Sequence, residues 1–182
     1  MNAIIIRSLK ISLLVTLISL LLNALVFANG TEPLSIVLYS LITTFSIFFL
    51  FNLKFFSKLG SFLLYSVIFA FLSSFFIDMF LPENFLLQIA YFTLIYFFLS
   101  LSLFFWKIYF LQLGKHWLYF LAFLDYILTV AIISYLFFLT IGYQKFEILD
   151  VLFINLRVFS ISGFIIFFLE YYTMRYGTLN IF

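Results

Sequence analysis

The stretch Asp150–Tyr171, DVLFINLRVFSISGFIIFFLEY, decides how the chain is read. Its interior is Leu, Ile, Val and Phe, with Arg157 set among them. At 1.5 Å per residue, a helix over this stretch is about 33 Å long, enough to cross a hydrocarbon core of about 30 Å. A barrel strand would alternate polar and apolar residues over about 10 positions, and this run does not alternate. The expectation is a transmembrane helix over residues 151–171. A second apolar run precedes it, about residues 117–140, and carries the acid Asp125.

Composition extends the same reading to the whole chain. Of its 182 residues, 67% are hydrophobic and 9% charged, where a soluble domain carries about 25% charged residues. Mean hydropathy is +1.30. Water-soluble folds are therefore excluded, and the class is an all-α polytopic membrane bundle. The apolar runs fall at about residues 9–28, 34–52, 59–80, 85–106, 117–140 and 151–171. Breaker chemistry separates several of them, as in NGTEP (Asn29–Pro33) and LPEN (Leu81–Asn84). The first run, with its basic head and Val26-Phe27-Ala28 before Asn29-Gly30, shares the layout of a cleaved signal peptide. It is read as a retained first span. The expectation is one integral membrane domain over residues 1–182, without a soluble domain.

Charge placement orients the spans. With the N-terminus inside, Arg7, Lys10, Lys54, Lys58, Lys107, Lys115 and Arg175 all fall in cytoplasmic segments. Outside lie Lys145 and the acids Glu32, Glu83, Glu147 and Asp150, with Asp78 at an outer helix end. This is the asymmetry of the positive-inside rule, and it predicts six spans with both termini cytoplasmic. A five-span alternative puts Arg175 outside and weakens the pattern.

Polar residues inside the spans are the candidate functional positions. In the first run Ser8, Ser12, Thr16, Ser19 and Asn23 recur at helical spacing and share one face. Ser66, Ala70, Ser74 and Asp78 form a similar stripe in the third. Such faces pack on neighbouring helices, where small residues allow close approach, or they line a polar path. Asp125 and Arg157 are the charges placed well inside spans, at a cost of about 2.5–3.5 kcal/mol each. Their expected levels differ by about 9 Å along the helix axes. An Asp125–Arg157 pair is one expectation; the alternatives are snorkelling of Arg157 and pairing with Asp78. Trp106, Trp117, Tyr171 and Tyr172 sit at span ends, where amphipathic rings favour the headgroup region.

Other chemistry is limited by supply. The chain has no Cys and a single His, His116, which removes thiolate nucleophiles, Cys metal sites and two-histidine relays. No Gly-rich phosphate loop, H-E-x-x-H, G-x-S-x-G or C-x-x-C occurs. No catalytic, cofactor-binding or metal-binding residue is assigned, and no motif ties the chain to a family. The 31 Phe residues are read as lipid-facing filling by a low-GC genome rather than as a ligand cavity. Cations scattered over separate loops give no basis for nucleic-acid binding. The expected partners are the bilayer and other membrane subunits or further copies of the chain. The expected role is a non-catalytic integral subunit or assembly partner of a larger membrane or envelope complex in a bacterial inner membrane. A small transporter or channel component with an Asp–Arg site is the alternative. A third reading is an immunity-type protein that binds a membrane-inserting toxin.

Overall fold

A computed structural model describes residues 2–26, 33–52, 59–76 and 84–176. The described chain is all-helical: α1 Asn2–Val26, α2 Pro33–Asn52, α3 Leu59–Phe76, α4 Phe85–Phe105, α5 His116–Thr140 and α6 Lys145–Tyr176. Among the described residues three helical segments, Phe85–Leu113, His116–Thr140 and Glu147–Tyr172, are long and apolar enough to cross a membrane.

The helix ends follow local chemistry. Pro33 opens α2, where its missing N–H costs nothing. Asn84 caps α4, its side chain accepting from the Leu87 N–H at 3.3 Å. Helix α5 ends in a Schellman motif. Gly142 takes φ 86°, its N–H donates to Leu139 O at 3.2 Å, and the Tyr143 N–H donates to Phe138 O at 3.1 Å.

Two boundaries differ from the expected spans. The connector after residue 106 is still helical, as a π turn (Trp106–Phe110) and then a 3-10 turn (Leu111–Leu113), before Gly114 breaks it at φ 65°. The segment 141–150, expected as a polar loop, is helical from Lys145. The cause is a capping contact: the Gln144 N–H donates to Glu147 Oε2 at 3.0 Å. This is the returning half of a capping box, with the acid placed in the first turn where the helix dipole favours it.

The helices pack as three hairpins, α1 on α2, α3 on α4 and α5 on α6, with α2 also touching α3, α4 and α6. Neighbours run in alternating directions. Tyr39 near the start of α2, Tyr91 near the start of α4, Ser134 near the end of α5 and Asn155 in α6 meet in one hydrogen-bonded group. At the other end of the bundle, Arg7 of α1 lies over the Phe48 ring of α2 at 5.8 Å. There too, Lys107 after α4 pairs with Glu170 of α6 at 3.3 Å.

Polarity is distributed opposite to that of a water-soluble protein. Leu86, Phe75, Phe164, Phe120 and Phe153 project outward, each at least 60% exposed, whereas Ser12, Thr43, Gln88, Ser100 and Asn155 are buried. Apolar surface of this extent is favourable against lipid and costly against water. The fold and surface are those of a membrane-embedded helical protein.

Candidate functional site

Where water is excluded, each polar group must find a partner within the protein. Two groupings meet that demand, and an apolar groove is a third candidate site. The most buried is a knot of four helices around Asn155. The Tyr39 hydroxyl donates to Asn155 Oδ1. Asn155 Nδ2 donates to the Tyr91 hydroxyl oxygen at 2.5 Å and to Ser134 Oγ at 3.2 Å. The Tyr91 and Ser134 hydroxyls share a 2.9 Å hydrogen bond. All four side chains are fully buried. An amide supplies donors and an acceptor together, so one Asn satisfies hydroxyls arriving from three directions. Two smaller pairs repeat the chemistry: Ser73 with Tyr96 at 2.5 Å, and Tyr126 with Ser162 at 3.0 Å.

The second grouping surrounds Asp125. Ser102 Oγ donates to Asp125 Oδ2 at 2.5 Å, and the Trp106 indole N–H donates to the same oxygen at 2.9 Å. Trp106 is the residue at which α4 passes into its π turn, a distortion frequent at functional sites. Asp125 is half-buried, and Leu121, Leu124 and Leu128 on the same helix are exposed.

The third is an aromatic groove of about 340 Å³ between α5 and α6. One wall is His116, Tyr119, Phe120 and Phe123; the other is Phe164, Phe167, Phe168 and Tyr171. Both sets follow the i, i+3, i+4, i+7 spacing of a single helix face. His116 and Tyr171 close one end with ring centroids 5.1 Å apart.

The residues singled out in the sequence are distributed as follows. Ser12 and Thr16 are buried and donate back to their own helix, to Leu9 O at 2.8 Å and Ser12 O at 2.7 Å. Ser66 and Ser74 are buried, and their hydroxyls have no hydrogen-bond partner among the described residues. Ser19 and Asn23 lie on α1, but their side chains, like Asp78 as a whole, fall outside the described residues.

Asp125 and Arg157 are not joined by an ion pair; the pair among the described residues is Lys107–Glu170. The offset between Asp125 and Arg157 is the one expected from the sequence, and the Arg157 side chain does not close it onto Asp125. Tyr126 packs at the level of Ser162 and Gly163, so Arg157 lies about 9 Å further along the bundle axis. The acid instead takes neutral donors from α4.

Asn155, Tyr39, Tyr91 and Ser134 were not singled out together by sequence reasoning, nor were Ser102 and Trp106 as partners of Asp125. The groove had a sequence signal that composition hid: HWLYFLAF (116–123) and FIIFFLEY (164–171) place rings at the same spacing. Among the described residues no group of three His, Cys, Asp or Glu is placed to hold a metal ion.

No known protein family, curated protein or solved structure matches this chain.

Proposed function

We propose that the chain is a non-catalytic integral subunit, an assembly partner within a larger envelope complex, crossing a bacterial inner membrane six times with both termini cytoplasmic. The orientation is supported by basic residues gathered at one end of the bundle. Arg7 sits there against the last turns of α2, and Lys107 sits there against Glu170. Lys115 precedes α5 at the same end. Residues of this kind favour the cytoplasmic face.

The observation that carries the subunit reading is Asp125. It is a half-buried carboxylate deep in an apolar helix, bordered by exposed leucines, with both described hydrogen bonds on Oδ2. An ionisable group in hydrocarbon is costly unless partnered. A neighbouring transmembrane helix that brings a donor to Oδ1 would cover it. The Asn155 knot meanwhile holds α2, α4, α5 and α6 as a fixed frame on which such a surface can be presented.

The test is purification in mild detergent from native membranes. A stoichiometric membrane partner is expected, and Asp125→Leu should release it while leaving the chain monodisperse. Recovery of the chain alone would overturn the reading. Loss of a solute flux in Asp125→Asn at normal protein level would favour a transporter component instead.

A further inference from the structure

We propose that the aromatic groove between α5 and α6 binds one acyl chain of an anionic phospholipid, with the phosphate held at the Lys115–His116 end. The inference rests on immersion in a bilayer and does not depend on the subunit reading.

Shape selects a chain. The groove runs along both helices from His116 to Phe123, about 10 Å at 1.5 Å per residue. That is roughly two-thirds of one leaflet of a core about 30 Å thick. Its volume of about 340 Å³ admits a flexible chain but not a helix, whose diameter is about 10 Å. The walls are rings throughout, and the rim residues Phe120, Phe164 and Phe168 are exposed on the outer surface of the bundle at 61%, 63% and 53%. A lipid chain can therefore enter sideways from the surrounding bilayer.

Charge selects the headgroup. The groove closes where α5 begins, and Lys115 and His116 are both exposed there. Glu170, the acid nearest in sequence to the wall residue Tyr171, is held by Lys107 at 3.3 Å. Lys115, at the start of α5, is the cation placed to face a phosphate there. A cation at the mouth of a cleft between transmembrane helices is a recurring way to hold an anionic headgroup. The Tyr119 hydroxyl is committed to Leu111 O at 3.2 Å, which fixes that wall independently of any ligand.

The experiment is native mass spectrometry of the purified full chain, titrated with phosphatidylglycerol and with phosphatidylcholine of identical acyl chains. One bound phosphatidylglycerol per chain is expected, retained about fivefold more tightly than phosphatidylcholine, the ratio one cation near an anionic headgroup supplies. Lys115→Gln with His116→Gln should erase that preference and leave helix content unchanged. Phe120→Ala with Phe164→Ala, both at exposed positions, should weaken both lipids together. Equal retention of the two lipids by the unaltered chain would overturn the headgroup assignment, and retention of neither would overturn the site. Efficient disulfide crosslinking of Phe120→Cys between copies would show a second chain over the groove and overturn it too.

Discussion

Asn155 on α6 donates to the Tyr91 hydroxyl on α4 at 2.5 Å, and its other side-chain atom, Oδ1, receives the Tyr39 hydroxyl from α2. One amide thus ties three helices, and Ser134 adds a fourth. Replacing Asn155 by Leu should take the acceptor from the buried Tyr39 hydroxyl and leave Tyr91 and Ser134 with only their mutual bond. The expected cost is about 1–3 kcal/mol, read as a lower midpoint of thermal unfolding in detergent. Tyr91→Phe should cost less, about 0.6–1.7 kcal/mol. The pair Tyr39→Phe and Asn155→Leu should fall short of additivity because both changes break the same bond.

A tighter steric constraint lies one hairpin away. A Cβ on Gly163 would meet two atoms of the Tyr126 ring at 2.8 Å. That ring cannot swing freely, because its hydroxyl is bonded to Ser162 at 3.0 Å. Gly163→Ala should destabilise the α5–α6 hairpin by about 1–3 kcal/mol, the usual cost of overpacking. Tyr126→Leu introduced with it should recover part of the loss in the same melting assay.

Gly142 presents the opposite case. Its surroundings leave open space for a side chain, but its φ of 86° does not suit one. Gly142→Ala should cost about 1 kcal/mol through backbone conformation alone. The change should be nearly independent of which small residue is chosen, because no neighbour is touched.

Topology can be read with single cysteines, since the chain has none of its own. Gln144 and Lys115 are both exposed, at opposite ends of α5. Gln144→Cys should react with a membrane-impermeant thiol reagent in intact cells. Lys115→Cys should react only after the membrane is opened. The reverse labelling would invert the proposed orientation.

The helical class was legible because hydrophobic runs of sufficient length have few other solutions in lipid. The turn at Asn84 and the end of the fifth span near residue 140 were legible as local chemistry. The π turn at Trp106 and the early start of α6 at Lys145 were not. The first depends on how Trp106 reaches Asp125 on another helix, and the second on a single contact from Gln144 to Glu147. The polar sites divide in the same way. Charges announce themselves in an apolar sequence, so Asp125 and Arg157 drew attention. The tyrosines did not, because in a chain with 12 Tyr and 31 Phe a tyrosine reads as one more ring, and Asn155, a polar residue in an apolar run, was legible without its partners. Which residues meet depends on helix rotation and relative height, and neither is written in the periodicity of a helix that is apolar on nearly every face.

The knot also has a consequence in time. Tyr39 and its acceptor Asn155 are separated by 116 positions in the chain. At a synthesis rate of about 5–20 residues per second, Asn155 is made about 6–23 s after Tyr39. Throughout that interval α2 is in place with a hydroxyl whose final acceptor does not yet exist. The nascent protein must therefore shelter this group, against lipid headgroups, water or the insertion machinery, until the last helix arrives. Its assembly is a relay in which the final hairpin locks the first.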